Sequence, residues 1–542
     1  MPTLNWIGKE AVVTHHQQVR FRLLKDVPDL GCGDPGTGNL IVQGDNLAAL
    51  KALLPYYAGQ VKCIYIDPPY NTGNEGWAYN DNVNSPVIRQ WLGQVVGKEG
   101  ETLDRHDRWL CMMYPRLALL RQFLREDGAI FISLDDNEIQ SLRFVMDEIF
   151  GQHNFIATII WQKKYAVSND HKSIAPMHDY IAVYQRSASF VRNLLARTAE
   201  KNRQYKFEDA RGVFRVSDYT CNKTADERPN LFYAVTNPHT GESVWPKRTR
   251  VWAYSPEVHA TNVADGLVFW GKEGHAKVPS FKRYLNSLKG GGSTVPSTWW
   301  DHEFADHTDG AKKELRHLFG ANSQLDFFTP KPTRLMERII QICTNPGDLV
   351  MDSFAGSGTT GHAVLKLNAA APDQPARRFI LVEMENKIAR DVTAERVRRV
   401  AEGYTNAKGE KVAGLGGGFR YVELGDELFD EAGLLIRSTV KFAELARHVY
   451  FTETGEPLPR ERVLNTPLLG VHRGTAVYLL YNGILKDKSA DGGNVLTRAT
   501  LAHLPPHDGP KVVYCAGCLL GPDRLRRERL TVRQTPREVK VS

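Results

Sequence analysis

The sequence of 542 residues predicts an α/β fold: a doubly wound, mainly parallel sheet, interrupted by an insertion and followed by a smaller C-terminal α+β domain. Short β-rich runs alternate with helical patterns, as in parallel sheets that carry helices on both faces. The alternation stops over a long stretch rich in aromatic, Pro, Gly and basic residues, and then resumes. One sheet domain with an inserted segment accounts for both observations.

The elements of the sheet domain follow from these patterns in order. After a first β-rich run at 40–42, Leu47, Leu50 and Leu53 share one face of a predicted helix. Further strands are predicted at 61–66, 129–134, 156–161, 180–184, 348–351 and 378–382. Further helices are predicted around 108–125, 137–149 and 333–343, and from about 360. In the C-terminal region we expect a helix near 431–446 and a strand at 476–481.

Domain boundaries are expected where the pattern changes, because 542 residues exceed the usual size of one compact domain. The predicted segments are an N-terminal arm (1–34), the first half of the sheet domain (35–185), the insertion (186–325), the second half of the sheet domain (326–425) and the C-terminal domain (426–542). The sheet is therefore expected to combine two segments that lie far apart in the chain.

Composition narrows the class of protein without identifying a function. Hydrophobic residues make up 42% and charged residues 24% of the chain, which is typical of a globular protein. The net charge of +7 is compatible with a nucleic-acid partner but does not establish one. We find no signal-peptide pattern and no apolar run of membrane-spanning length. The seven scattered cysteines fit a reducing compartment, so a cytoplasmic protein without a membrane partner is expected.

A glycine-rich turn lies between the predicted strand 348–351 and the following helix. Gly356, Gly358 and Gly361 satisfy the spacing G-x-G-x-x-G, and Glu383 ends the next β-rich run. Glycines let the backbone approach a ligand closely, and a terminal acid can bind two ribose hydroxyls. The turn predicts a site for a dinucleotide or a nucleoside cofactor, with a purely structural turn as the alternative. Because no Gly-Lys-Ser/Thr closes it, the turn does not fit a nucleoside-triphosphate loop.

A second motif, Asp67-Pro68-Pro69-Tyr70, directly follows the run 61–66 and is therefore placed at the carboxyl edge of the sheet. The two prolines stiffen the loop and remove two backbone N–H groups. The Asp67 carboxylate and the Pro68 carbonyl can then both accept hydrogens from an amino group, and Tyr70 can stack on an extruded base. Taken alone, this tetrad fits a rigid turn with an aspartate cap equally well.

Together, the two motifs resemble those of the β-class DNA amino-methyltransferases, in which the catalytic motif precedes the cofactor motif and a target-recognition region separates them. The resemblance implies a Rossmann-like methyltransferase sheet, S-adenosylmethionine as the cofactor, no metal, and flipping of the target base out of duplex DNA. The implied catalytic residues are Asp67, Pro68, Pro69 and Tyr70. The implied cofactor-binding residues are Asp45, Thr329, Lys331, Asp352, Phe354, Gly356, Gly358, Thr359 and Glu383. Within that set, the resemblance places Lys331 near the methionine end of the cofactor and Asp45 near its adenine.

Segments 67–73, 133–138 and 228–231 are similar to the modification subunits of Type III restriction systems. This resemblance covers about residues 35–425 and implies adenine N6 as the target, because that target usually accompanies the Asp-Pro-Pro-Tyr form. The implied partners are double-stranded DNA, a second copy of the chain and a restriction subunit. A solitary adenine methyltransferase and a cytosine-N4 methyltransferase remain alternatives. A nicotinamide dehydrogenase would leave the tetrad unexplained, and a silent DNA-binding subunit would not need it.

Basic residues with aromatic neighbours are candidate DNA contacts, because cations bind phosphates and rings stack on bases. A solvated surface is the alternative for each of them. The candidates are Lys163, Lys164, Lys247, Arg248, Arg250, Lys282 and Arg283.

Three other patterns are expected to be structural. Asp135 and Glu138 have the spacing of a capping box that opens the next helix, which we favour over a metal site. His178, next to Asp179, is expected to be a structural histidine. Cys515 and Cys518 lack the second pair that a four-ligand zinc site would need.

Overall fold

The structure is a computed structural model that describes residues 4–72, 93, 105–167, 173–197, 202–288, 293–320, 329–433, 435–459, 466–481, 493–536 and 539. The chain divides into two compact units. The larger unit, which we call the sheet unit, comprises Met1–Arg192 and Ser297–Ser542. The smaller unit, the inserted unit, comprises Asn193–Pro296.

One large sheet organises the sheet unit. Its strands are β1 (Arg22–Asp26), β2 (Leu40–Gln43), β3 (Val61–Ile66), β4 (Leu124–Leu134), β5 (Phe155–Gln162), β6 (His178–Gln185), β7 (Trp299–Trp300), β8 (Leu349–Asp352), β9 (Arg378–Glu383) and β10 (Gly418–Glu427), and Cys32–Gly33 pairs with β10. The order across the sheet is β1-β10-β2-β9-β8-β3-β4-β6-β5-β7. The six strands from β10 to β4 are mutually parallel. The predicted mainly parallel sheet is confirmed, and the antiparallel pairs involve β1, the short strand Cys32–Gly33 and both sides of β6.

Helices cover both faces of this sheet. The longer ones are α1 (Asn46–Tyr57), α2 (Arg105–Phe123), α3 (Ile139–Phe150), α4 (Thr308–Phe319), α5 (Thr333–Cys343), α6 (Thr359–Ala369), α7 (Glu395–Glu402) and α8 (Phe442–Thr454). Shorter helices span Lys9–Val13, His15–Gln18, His302–Ala305, Asn386–Ile388, Arg498–His503 and Pro522–Arg527.

The two faces use alternate residues of the central strands, as the period of a strand requires. Ile64 and Ile66 of β3 lie in a cluster with buried residues of α1, α2 and α3. On the opposite face, Gly361 of α6 lies against Leu381 and Phe379 of β9, both fully buried. The sheet is therefore doubly wound, and its central strands read as continuous apolar runs because both faces are covered.

The sheet unit departs from the sequence expectations in three places. β7 adds Trp299–Trp300 to the edge of the sheet beside β5, so this part of the chain lies with the sheet although 186–325 was predicted as insertion. The predicted helix near 431–446 is wrong, because the observed helix spans Phe442–Thr454. The predicted capping box of Asp135 and Glu138 is also wrong, because α3 begins only at Ile139 and Asp135 accepts from the Asn137 N–H instead.

The C-terminal region forms a second, four-stranded sheet in the order β11 (Leu468–His472), β12 (Thr475–Leu479), β13 (Lys511–Cys515) and β14 (Leu530–Gln534). The last three strands are parallel, and the short helices Arg498–His503 and Pro522–Arg527 connect them. Leu445 and Val449 of α8 share a buried cluster with Val477 of β12 and Val512 of β13.

The inserted unit has a small antiparallel sheet made of Val268–Phe269, Ser280–Tyr284, Gly212–Asp218 and Phe207–Asp209. A helix spans Pro256–Ala264 and is capped by Ser255. Tyr219, Val235, Trp252 and Trp270 form a buried cluster within this unit. The segment thus has a core of its own.

Two absences apply to the described part of the chain. No helix there combines the length and the apolar character that a membrane crossing needs. No group of three His, Cys, Asp or Glu residues is arranged there to hold a metal ion.

Stability is expected to depend on the centre of β3. Ile64 is fully buried between β8 and β4, so Ile64→Ala should lower the free energy of unfolding by about 2–5 kcal/mol. Ile64→Val, which removes one methylene, should cost only about 0.5–1.5 kcal/mol. Urea titration followed by circular dichroism measures both, and equal stability of the two variants would contradict the packing described above.

Candidate active site

Four acidic residues lie at one edge of the sheet because their strands are parallel neighbours. In sheet order β2-β9-β8-β3, the strands lead into Asp45, Glu383, Asp352 and Asp67. From β8 the chain continues to β9 on one side, and from β3 it continues to β4 on the other. The connections thus diverge between β8 and β3, and open α/β sheets bind ligands outside the carboxyl ends at such a point.

A cleft opens at this position. It is lined by seven of the residues singled out from the sequence, namely Asp67, Thr329, Lys331, Asp352, Phe354, Gly356 and Thr359. The fold thus brings a tetrad residue and the glycine-rich turn to one surface, although they are far apart in the chain. Asp45 and Glu383 lie at the same sheet edge without lining this cleft.

The glycine-rich turn has the backbone that its residues require. Gly356 and Gly358 have φ of 50° and 73°, a left-handed conformation that glycine adopts without steric cost. A Cβ on Gly358 would lie 3.0 Å from the Thr393 carbonyl oxygen, and one on Gly361 would lie 3.0 Å from Val397. The glycines are therefore held close to α7 and to the residues just before it. Helix α6 begins at Thr359, and its N-terminus lies at the cleft.

The carboxyl groups at the turn are almost completely buried. Glu383 accepts backbone N–H bonds from Gly356 at 2.9 Å and from Glu385 at 2.8 Å. Asp352 accepts bonds from Thr360 Oγ1 at 2.6 Å and from the Phe354 N–H at 3.1 Å. Burial raises the pKa of Glu383 to about 8 and that of Asp352 to about 7. These backbone bonds tie both acids to the glycine turn.

A buried arginine supports the turn from within, and the sequence did not reveal it. Arg396 of α7 has no exposed surface and donates to Ser357 Oγ at 3.1 Å, to Thr359 Oγ1 at 2.9 Å and to Thr333 Oγ1 at 3.0 Å. It also forms an ion pair with Glu314 of α4 at 3.2 Å. Nothing in the local sequence distinguishes it from Arg398 and Arg399, which pair with Glu395 on the same helix.

Asp67 divides its two carboxylate oxygens between different environments. Oδ2 pairs with Lys331 Nζ at 2.5 Å. Oδ1 is buried and has no hydrogen-bond partner among the described residues. A buried acceptor left unsatisfied is costly, and at a cleft a ligand can satisfy it by donating a hydrogen bond. Lys331, expected from the resemblance to lie near a cofactor, thus contacts the tetrad itself.

Tyr70 lies among charged groups that the sequence analysis did not connect with it. Its hydroxyl donates to Asp179 Oδ2 at 3.5 Å, and Lys331 Nζ lies 5.1 Å from the centre of its ring. Asp179 is buried and pairs with Lys163 at 2.6 Å. The residue next to His178, rather than the histidine, therefore faces the tetrad, and only the strand pairing that brings β6 beside β4 reveals it.

The tetrad loop is also anchored from behind. The Trp109 indole N–H donates to the Pro69 carbonyl at 2.7 Å, and Trp109 is fully buried in α2. The only backbone polar group of Pro69 is therefore engaged by α2. The rigid loop and the free Asp67 Oδ1 can together hold a group that donates hydrogens, such as an amino group.

The predicted DNA contacts fall into two groups. Lys164, Lys247 and Arg248 are exposed. The other four form polar contacts within the protein: Lys163 with Asp179, Arg250 with Asp218, Lys282 with Asp209, and Arg283 with Ser217. The exposed Arg248 also pairs with Asp226, at 3.4 Å. In the inserted unit, Arg248 lies 5.6 Å from the ring of Phe232, whose other neighbour is the exposed Trp245.

Comparisons with known proteins agree with this geometry. A family model described as DNA methylase matches residues 61–395, more than half of the chain. The chain is 36% identical over 389 residues to the Type III restriction-modification enzyme StyLTI Mod subunit of Salmonella typhimurium, covering 67% of this chain and 57% of that protein. It is 29% identical over 447 residues to the EcoP15I Mod subunit of Escherichia coli, covering 71% and 64%. It is 41% identical over 360 residues to the DNA adenine methyltransferase YhdJ of Escherichia coli K12, covering 66% and 83%.

The chain thus spans about three fifths of the length of the two modification subunits it matches. The family model, by contrast, covers both the tetrad and the glycine-rich turn. With the motifs, the divergence point of the sheet and the shared cleft all in agreement, the chain belongs to the DNA methylase family.

Proposed function

We propose that this chain transfers a methyl group from S-adenosylmethionine to adenine N6 in double-stranded DNA. The observation that carries the proposal is the shared cleft, in which Asp67, with an unpartnered Oδ1, lies on the same surface as the glycine-rich turn. A nicotinamide dehydrogenase would need the turn but has no use for the buried acceptor. A DNA-binding subunit without catalytic activity would need neither the glycine-rich turn nor the buried acceptor.

The glycine turn has the chemistry that a nucleoside cofactor requires. Its left-handed glycines turn the chain sharply where Gly356 lines the cleft, the N-terminus of α6 lies at the cleft, and Glu383 offers a carboxylate for ribose hydroxyls. Asp352 and Phe354 form the adjoining wall. When bound, S-adenosylmethionine supplies a methyl group already activated by its sulfonium, so the proposed chemistry needs no metal.

The tetrad residues then act on the target amino group. Asp67 Oδ1 and the Pro68 carbonyl accept its two hydrogens, which draws the nitrogen towards tetrahedral geometry and directs its lone pair outward. Lys331 holds the other oxygen of Asp67 and so fixes which oxygen faces the substrate. The ring of Tyr70 stacks on the flipped base, whose extraction from the duplex costs a few kcal/mol.

The names of relatives support adenine as the base and DNA as the substrate, since one similar protein is called a DNA adenine methyltransferase. Two others are called modification subunits of Type III systems, which supports a restriction subunit as a partner of this chain. A homodimer and a cytoplasmic location complete the proposal. We assign target recognition to the inserted unit, where Trp245 and Arg248 present an exposed ring and an exposed cation.

Removing the Asp67 carboxylate tests the catalytic assignment. Asp67→Ala should lower methyl transfer by at least about 100-fold, because an acceptor made for the reacting nitrogen is lost. Cofactor binding should change little, since the glycine turn is untouched. Methyl transfer is measured as incorporation of tritiated methyl groups into unmethylated phage DNA. The Kd for S-adenosylmethionine is measured by calorimetry. Asp523→Ala, which alters an exposed acid in the C-terminal region, serves as the control. Undiminished turnover by Asp67→Ala would refute the assignment.

Replacing Lys331 distinguishes two roles for this residue, orienting Asp67 and binding the cofactor. If Lys331 acts on Asp67, Lys331→Gln should lower the methylation rate by about 10- to 100-fold while the cofactor Kd changes less than about threefold. If it instead binds the cofactor, the Kd should rise as much as the rate falls. Lys366→Gln removes a surface ion pair to Glu337 and should leave both quantities unchanged.

Cofactor binding should depend on pH through Glu383. In the free protein the raised pKa of about 8 keeps this carboxyl largely protonated at neutral pH. Ribose hydroxyls donate hydrogen bonds and favour the ionised form, so binding should release a proton and should tighten as pH rises from about 6 to about 8. Calorimetry in buffers of different ionisation enthalpy detects that proton. Glu383→Gln should bind more weakly and lose the dependence near pH 8, whereas a pH-independent Kd of the unaltered protein would contradict the linkage.

A further inference from the structure

Glu138 is a buried acid that the proposed chemistry does not use. It directly precedes α3, has no exposed surface and does not line the cleft. Its position in the chain suggested a helix cap, but its side chain makes no cap bond to α3. Its carboxylate instead reaches back to the segment that follows the tetrad.

Two side chains converge on one oxygen of Glu138. Asn71 Nδ2 donates to Oε1 at 2.5 Å, and His106 Nδ1 lies 2.7 Å from the same oxygen. Asn71 Nδ2 also donates to the Arg105 carbonyl at 3.0 Å, which ties the tetrad loop to the first turn of α2. Asn71, which follows Tyr70 directly, is therefore fixed on two sides.

The backbone of Asn71 shows why this anchor is needed. Its φ of 59° lies in the left-handed region, where a residue with a side chain is disfavoured and asparagine is the best tolerated after glycine. The chain must turn there sharply after Tyr70. Hydrogen bonds from the Asn71 side-chain amide stabilise that conformation. They thereby fix the backbone next to Tyr70 and the orientation of its side chain.

Burying an acid at this position is unfavourable without compensation. Burial raises the pKa of Glu138, and hydrogen bonds with Asn71, with Ser141 of α3 and with His106 oppose that rise. A buried charged group adds little net stability, so the bonds of Glu138 matter here for the geometry that they impose on Asn71. A metal-binding role has no support, because the described residues contain no cluster suited to an ion.

We propose that Glu138 is a positioning residue for the methylation reaction, acting through Asn71 to hold Tyr70 and Asp67 in the orientation that the target base requires. The inference rests on the proposed function. It assigns the second Type III-like segment, 133–138, a role in the catalytic loop. Trp109 and Glu138 then form two separate anchors of one loop, the first at Pro69 and the second just beyond Tyr70.

Three variants at this anchor and one matched control test the proposal. Glu138→Ala removes the acceptor, Glu138→Gln retains one oxygen that can still accept from Asn71, and Asn71→Ala removes the donor. Glu148→Gln is the control, because Glu148 lies in α3, the helix that Glu138 precedes, and accepts a hydrogen bond from Tyr114 and pairs with Lys9. Neither partner belongs to the tetrad loop. Each protein is assayed for methyl transfer to unmethylated phage DNA, for the cofactor Kd and for thermal unfolding.

We expect Glu138→Ala and Asn71→Ala to lower kcat by about 10- to 100-fold each, with the cofactor Kd within about threefold of the unaltered protein. The double variant should lose no more than either single variant, because both changes break one interaction. Glu138→Gln should retain most of the activity, and Glu148→Gln all of it.

Three results would overturn the proposal. One is an unchanged kcat in Glu138→Ala. Another is a loss of cofactor binding that parallels the loss of rate in Asn71→Ala and Glu138→Ala, which indicates a general structural role. The third is additive losses in the double variant. Absence of methyl transfer by the unaltered protein would overturn the proposed function itself and this inference with it, and the first assay distinguishes that outcome from the others.

Discussion

Parallel pairing of β2, β9, β8 and β3 is the constraint on which the rest of the site depends. Parallel neighbours must end at the same edge, so residues from distant parts of the chain meet there whatever lies between them. The long interruption between the two halves of the sheet is tolerated for the same reason. The interruption adds to the entropic cost of closing the chain between the two halves, and that cost grows only slowly with the length of the insertion. The geometry of the cleft is therefore a property of the sheet rather than of any local motif.

That edge concentrates charge in a poorly solvated place, and the fold manages it with fixed partners. Lys331 compensates Asp67, Lys163 compensates Asp179, and Arg396 compensates Glu314 beneath the glycine turn. Ion pairs of this kind contribute little net stability, because desolvation offsets most of the attraction. What they provide is orientation: each side chain has one low-energy position, which a site that must align a reacting nitrogen requires.

The sequence was sufficient to predict helices and strands that show a clear spacing of apolar residues. It was insufficient to predict contacts between residues that lie far apart in the chain. The helix at Thr333–Cys343 and the strands around the tetrad and the glycine turn lie where apolar spacing predicts them. Asp179, Arg396 and Glu138 were missed because their partners belong to other strands and helices. The helix at Phe442–Thr454 was placed too early, although its start has a local signal: Glu444 accepts a hydrogen bond from the Lys441 N–H at 2.7 Å.

The inserted unit has its own buried cluster, and its two junctions with the rest of the chain lie in irregular segments at Arg192–Asn193 and Pro296–Ser297. A gene segment that encodes an independently packed piece can be replaced by recombination without redesigning the remaining protein. Under the proposed division of labour, one exchange between related genes would change which DNA sequence is read and leave the methylating machinery as it was. A new DNA specificity would then arise from a single recombination event. A recognition surface formed by the catalytic sheet itself would instead have to change one substitution at a time.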